Sequence, residues 1–364
     1  MLPTFDVGGQ QTRTVDIINH LGRAYRHAVV ALDGAYGCRD RLSDGALVEF
    51  PSLDRHPLWL IPRLRAIRAR LRAIRPRLLV TYNWGAIEWA LANGIRPHCR
   101  HIHLEDGFGP EESERQLRRR VVLRRLALMG TNRLVVPSLT LEEIARRTWR
   151  LPPEKILHIP NGIECERFGA ATRRHQAEAA NAPGDATVIG TVSPLRPEKN
   201  LELVLGVFAE LVGRFACRLL IVGDGSERAK LAKQAETLGL GDKVVFAGHV
   251  DAVERVLPSI DIFVMTSKTE QMPIGLLQAM AAGRPVVATD VGDIKAMLAP
   301  ENRAFVAPKD DGEALTRHLA RLLADPALRA ELGARNQDYA RAHYGLEPML
   351  KAYEQLFEEV AGQD

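Results

Sequence analysis

Short apolar runs rich in β-branched residues alternate with longer amphipathic runs along almost the whole chain. This alternation is the pattern of parallel strands joined through covering helices, and it constrains the fold more than any other feature. In the first half, strands are expected near residues 28–32, 78–82, 100–103 and 133–136, with helices over 62–74 and 112–129. In the second half, strands are expected near 187–192, 218–222, 244–247, 260–265 and 285–288, with helices starting near Glu198, Ser226, Ala252 and Pro273. Both halves are βα units in series. A single core rarely grows past ~250 to 300 residues, so a chain of 364 residues suits two domains.

Residues 169–186 are rich in Ala, Arg and Asn, carry Pro183 and Gly184, and have no sustained apolar period. They read as a linker between a first domain over 1–168 and a second over 187–345. Within 346–364, Met349, Leu350, Tyr353, Leu356 and Phe357 fall at helical spacing, which predicts a last amphipathic helix. The Gly8-Gly9 turn is preceded only by residues 1–7, with Pro3 among them, a short lead for the first strand of a doubly wound domain. Either this first strand is unusually short or the natural start lies upstream of Met1, and the second is the expectation.

The net charge of +4 divides unevenly: residues 1–168 hold 27 Lys and Arg against 18 Asp and Glu, and residues 169–364 hold 22 against 27. Arg63, Arg65, Arg68, Arg70, Arg72, Arg75 and Arg77 interleave with Leu64, Ile67, Leu71 and Ile74, making a basic amphipathic helix; Arg118, Arg119, Arg120, Arg124 and Arg125 form a second cluster. Such a helix either packs on its own sheet or makes peripheral contact with an anionic membrane. No aromatic platform, zinc spacing or helix-turn-helix accompanies the charge, so nucleic acid is not an expected partner. Cys38, Cys99, Cys165 and Cys217 lack paired spacing, which argues against a disulfide framework or a structural zinc and for core thiols. No apolar run approaches the ~18 residues of a membrane span and no secretory signal follows Met1, so the cytoplasm is the expected compartment.

Residues 261–293 carry the clearest chemistry: a strand, a polar loop, a helix opened by Pro273, a stop at Gly283 and a second strand. Pro at a first helical turn lacks an N–H that would be orphaned anyway, and the free amides of Ile274, Gly275 and Leu276 suit a diphosphate. Glu270 precedes this turn and Gln278 lies one turn inside, each able to bond sugar hydroxyls. The arrangement is consistent with a nucleotide-sugar.

Here the segment becomes specific. Glu270-Gln271-Met272-Pro273, then Leu276-Leu277-Gln278-Ala279-Met280-Ala281-Ala282-Gly283 and Pro285-Val286-Val287-Ala288-Thr289, resembles glycosyltransferase family 4. Gly190-Thr191-Val192-Ser193-Pro194-Leu195-Arg196-Pro197-Glu198-Lys199-Asn200 resembles that family's phosphate clamp, and Gly8-Gly9 its first glycine loop. Asn161-Gly162-Ile163-Glu164 is similar to its domain-junction motif. The resemblance implies a GT-B fold: two Rossmann-like, doubly wound parallel-sheet domains facing a central cleft, with the last helix crossing back to the first. It implies a retaining transfer from a nucleotide-sugar to a glycan or lipid-linked acceptor in envelope or exopolysaccharide synthesis. No cofactor is called for, and the sequence contains no Asp-x-Asp metal clamp.

Carried over by position, Lys199 would neutralise the leaving diphosphate, Glu270 and His103 would orient the sugar, and Gln278 would hold the ribose. Gly8, Gly9, Gly223, Gly248, His249, Met272, Pro273, Ile274 and Gly275 would complete the donor side. Asn83, Glu105 and Asp106 would line the acceptor side. Two positions depart from the family pattern. Gln278 stands where a second Glu is usual, and Pro194 where an Arg is usual, leaving Arg196 two residues on as the substitute cation. These departures keep open an alternative, a non-catalytic family member that binds donor or a partner.

Overall fold

The computed structural model describes residues 1–52, 59–112, 115–179 and 186–362. The chain divides into two compact units, Met1–Asn161 with Glu347–Asp364, and Gly162–Leu346.

The first unit contains β1 (Arg26–Ala28), β2 (Leu47–Glu49), β3 (Leu78–Tyr82), β4 (Arg100–Leu104), β5 (Arg133–Val136) and β6 (Ile156–His158). Strands β3-β4-β5-β6 form one parallel sheet and β1-β2 a second parallel ladder. The first residues of the chain join the two. The Met1 ammonium donates to the Val80 carbonyl at 2.8 Å and Tyr82 N–H to the Met1 carbonyl at 3.1 Å. On the other edge, Leu2 N–H donates to Val30 O and Leu32 N–H to Leu2 O, both at 3.0 Å. The run expected as a strand at 28–32 thus pairs partly in β1 and partly along these first residues.

Helices α1 (Gly9–Leu21), α2 (Leu60–Ile74), α3 (Ile87–Ile95), α4 (Arg118–Met129) and α5 (Leu139–Arg147) cover this sheet. Ile67 and Leu71 of α2 are buried against Leu79 and Trp89, so its apolar face is used on its own sheet. Helix α4 starts at Arg118, not at 112, and the Glu112 carboxylate accepts from Leu117 N–H at 2.9 Å just before it. The last helix, Leu346–Gly362, buries Met349, Leu350, Tyr353, Leu356 and Phe357, and its Glu354 meets His20 of α1 at 3.1 Å. All four cysteines are free; Cys38, Cys165 and Cys217 are buried.

The second unit contains β7 (Thr187–Val192), β8 (Cys217–Val222), β9 (Val244–Gly248), β10 (Ile262–Met265), β11 (Val286–Thr289) and β12 (Val306–Ala307). Their order is β9-β8-β7-β10-β11-β12, all parallel. Helices α6 (Cys165–Ala179), α7 (Leu201–Val212), α8 (Arg228–Thr237), α9 (Val253–Val256), α10 (Ile274–Ala281), α11 (Ile294–Met297), α12 (Gly312–Ala324) and α13 (Pro326–His343) flank it. Apolar clusters form on both faces, one built on Leu205, Phe208 and Leu315, the other on Phe263, Leu277 and Met280.

The expected linker at 169–186 is a correction. Residues as far as Ala179 continue α6, and the division between units falls at Asn161 and Gly162. Phe168 and Thr172 are buried, and the Thr172 hydroxyl donates to the Ala282 carbonyl at 3.1 Å, so this helix is docked on α10. An alanine-rich run has high helix propensity even without a clear apolar period. Pro183 and Gly184 lie outside the described residues.

Candidate functional site

Strand order in the second unit reverses between β7 and β10, and ligands of open parallel sheets bind outside the carboxyl ends of strands at such a switch point. Two loops meet there. The loop after β7 is fixed by Ser193 N–H to Val222 O at 3.0 Å and Leu195 N–H to Asp224 O at 2.9 Å. This close passage requires Gly223, at φ +134°, where an added Cβ would lie 1.9 Å from the Ser193 carbonyl oxygen. The loop after β10 is tied to it by the Thr266 hydroxyl, which donates to the carbonyls of Lys199 and Asn200 at 3.2 and 3.0 Å. Lys268 N–H donates to Glu198 O at 2.8 Å.

These ties bring the Lys199 ammonium onto Oε1 of Glu270, and the Ser267 hydroxyl donates to the same oxygen at 2.7 Å. Side-chain exposure is 18% for Lys199 and 10% for Glu270, so the pair is shielded but reachable. Just beyond, Pro273 is the N-cap of α10 and not its first helical residue as expected; the helix opens at Ile274. The leading amides of Ile274 and Gly275 have no acceptor within a helix that starts there. Gln278 is half-buried one turn inside. Pro194 is exposed while Leu195 turns inward.

Several expected contributors are placed differently. The Met272 side chain is buried in the apolar cluster with Phe263 and Leu277, leaving only its backbone for a ligand. Arg196 is exposed and lines a separate depression of about 130 Å³ with Asn200, Glu202, Glu227, Lys230 and Lys268, apart from the Lys199–Glu270 pair. Gly223 N–H donates to Gly248 O at 2.8 Å, joining the ends of β8 and β9, and His249 is exposed beside Asp251 at 3.4 Å. The sequence reading missed Gly292: at φ +55°, an added Cβ would lie 2.0 Å from the Glu270 carbonyl oxygen.

In the first unit, Gly8 and Gly9 open α1 after the chain's first residues, and the Asn83 amide donates to Gln10 Oε1 at 2.9 Å. Asp106 N–H donates to Asn83 Oδ1 at 2.6 Å. The Asp106 carboxylate takes Arg13 at 2.7 and 2.8 Å, and Arg13 also donates to Asn161 Oδ1 at 2.7 Å. Burial by itself would make the Arg13 guanidinium less basic, but Asp106 holds it firmly protonated. Arg13 and Gln10 were not read from the sequence; the signal was a lone cation one turn after Gly9, among the buried Val15, Ile17 and Ile18. A cavity of about 670 Å³ runs along β1 and β3, lined from Arg26 to Val30 and by Leu78, Leu79, Val80 and Tyr82, and neither Asn83 nor Asp106 is in its lining.

His103 and Glu105 are corrections. Both side chains have 0% exposure, so neither is a surface a sugar could touch. Strand periodicity puts residues 101, 103 and 105 on one side of the chain, and α4 covers that side with Arg124. His103 Nδ1 lies 2.7 Å from Thr81 Oγ1, which lies 2.8 Å from His101 Nε2. Glu105 Oε2 stands 3.6 Å from His103 Nε2 and 3.5 Å from Arg124 Nε. This is an internal polar chain.

Among the described residues no three His, Cys, Asp or Glu side chains converge as a metal site, and no helix is long and apolar enough to cross a membrane.

Residues 7–167 match the model of Glycosyltransferase Family 4 and residues 172–339 that of Glycosyl transferases group 1. The lipopolysaccharide core biosynthesis glycosyltransferase LpsE of Rhizobium meliloti is 30% identical over 176 residues, 48% of this chain and 51% of that one. The chain spans about half the length of that relative and of the N-acetyl-alpha-D-glucosaminyl L-malate synthase of Bacillus anthracis, to which it is 28% identical over 48% of this chain and 45% of that protein. The crystal structure of HepE from Anabaena in complex with UDP-glucose has a TM-score of 0.80 at 18% identity, covering 98% of each chain. With both halves matched by these models and both units built as GT-B sheets, the chain belongs to glycosyltransferase family 4.

Proposed function

We propose that this chain transfers a sugar, with retention of configuration, from a nucleotide-sugar to a glycan or lipid-linked acceptor of an envelope or exopolysaccharide. The observation that carries the reading is the Lys199–Glu270 pair at the switch point, beside the opening amides of α10. Lys199 and the amides of Ile274 and Gly275 meet the charge of the departing diphosphate, which supports a reaction without metal or cofactor. Glu270 bonds the sugar hydroxyls and Gln278 the ribose. The bond from the anomeric carbon to phosphate oxygen breaks as the bond to the acceptor oxygen forms on the same face. The acceptor's proton passes to the departing phosphate. Asn83 and the Arg13-held Asp106 present an amide and a carboxylate to the acceptor. The positive balance of residues 1–168, with Trp59 and Ile61 exposed beside Arg65, supports peripheral contact with an anionic membrane at its inner face.

The test is release of nucleoside diphosphate from UDP-glucose, UDP-N-acetylglucosamine and GDP-mannose in the presence of glycan acceptors. Lys199→Met is expected to reduce release by ~10²- to 10³-fold, the loss typical of one transition-state donor. Absence of release from every donor overturns the reading. Pro194 and Gln278 favour a second one, a non-catalytic binder of donor or partner, for which donor binds and no transfer occurs.

A further inference from the structure

Glu270 and Lys199 are each other's ion partner, and the Ser267 hydroxyl is the other contact on the shared Oε1. A diphosphate arriving at the switch point competes for the same ammonium. Once it takes Lys199, Glu270 is left as a carboxylate of 10% exposure facing an anion, with Ser267 on Oε1. An unpaired, shielded carboxylate next to like charge is strongly disfavoured. A sugar on the diphosphate relieves this, because its hydroxyls donate to the freed oxygen. A bare diphosphate brings no donor.

We propose that Glu270 is a specificity-determining residue that makes the site favour the intact nucleotide-sugar over the free nucleoside diphosphate, by holding Lys199 until sugar hydroxyls replace it. The inference rests on the donor-site reading above. Its functional consequence is discharge of product: after transfer the sugar is gone, Glu270 reclaims Lys199, and the diphosphate is expelled. The charge of Glu270 thus lowers affinity for one ligand of the site while raising it for the other.

Calorimetry with the pairs UDP and UDP-glucose, and GDP and GDP-mannose, tests this on the full chain. In Glu270→Gln the shape and a hydrogen-bond acceptor remain while the charge is gone. Its affinity for the free diphosphate is expected to rise on the order of tenfold, as an opposing charge at close range is removed, and its preference for the sugar-bearing form to shrink. Ser267→Ala, which removes the hydroxyl left on the freed oxygen, moves the preference the opposite way by weakening free-diphosphate binding. Thermal melting of each variant establishes that it is folded. A diphosphate affinity that is unchanged or weaker in folded Glu270→Gln overturns the inference while leaving the donor site standing. Failure of the unmodified chain to bind any of the four ligands overturns both.

Discussion

Arg124 and Glu112 form a two-point ion pair with no exposure on either side chain: Nη1 meets Oε1 at 3.1 Å and Nη2 meets Oε2 at 2.9 Å. Trp84, Phe108 and Trp149 surround the guanidinium, with its carbon 5.1, 5.1 and 5.3 Å from their ring centres. Burial alone would raise the Glu112 carboxyl, yet the bonds from Arg124 and the Leu117 N–H hold it below its ordinary value. Removing one partner of such a pair leaves the other charge buried, which costs about 3–5 kcal/mol. Arg124→Met is expected to lower the unfolding free energy by that order in a urea titration, and adding Glu112→Leu to recover only part of it, because the buried Glu105 also loses its contact with Arg124. A loss below about 1 kcal/mol for the single change would contradict the account.

Acid should destabilise the fold through His101. Burial first, and the neighbouring His103 ring next, push its imidazole well below the ordinary 6.5. The folded state therefore keeps the ring neutral while the unfolded chain takes up a proton below about 6.5, so stability is lost as pH falls from 6.5 towards the folded value and this group contributes no slope above it. Each pH unit in that window costs up to ~1.4 kcal/mol for one such group. Denaturant melts at pH 7.5, 6 and 5 should show the decline, and His101→Gln should flatten it. Equal slopes in the two proteins would assign the acid lability elsewhere.

The backbone at Gly292 passes directly against the Glu270 carbonyl. Alanine there meets the Glu270 carbonyl oxygen at 2.0 Å and must also hold φ at +55°. Gly292→Ala is expected to weaken UDP-glucose binding at least about tenfold through displacement of Glu270, a shift of ~1.4 kcal/mol. Calorimetry checks it; undiminished affinity would show that the segment tolerates the shift.

Gln278→Glu replaces a neutral acceptor by a charged one. If the ribose sits there, the stronger bond tightens UDP-glucose binding by about 1–2 kcal/mol, roughly 5- to 30-fold in Kd. An unchanged Kd places Gln278 outside the ribose contact.

Much of this protein was readable before folding. Strands β3, β5 and β7 occupy the ranges expected from apolar periodicity, and the segment proposed for the donor carries strand, polar loop and helix start in one contiguous stretch. Local signals were present but unused at α12 and α13, where Asp311 and Asp325 cap the first turns at 2.8 and 2.9 Å and Pro326 opens the second helix. Weak or absent period hid α6 and the short strands β2 and β12, whose few residues take their conformation from neighbours.

What the linear sequence determined was therefore the kind of fold and the address of the loop proposed for the donor, since both depend on residues adjacent in the chain. Which polar side chains stand at the site was decided by tertiary structure. Position along β4 marks His103 and Glu105 as end-of-strand candidates, but only the packing of α4 encloses them at 0% exposure. Arg13, Asp106 and Asn161 are distant in sequence and meet only because a buried guanidinium needs partners within hydrogen-bond reach. The same holds for Lys199 and Glu270, 71 positions apart, which the reversal of strand order between β7 and β10 sets side by side. Charge pairing across such distances leaves no local trace, because the desolvation that enforces it exists only once the sheet is assembled.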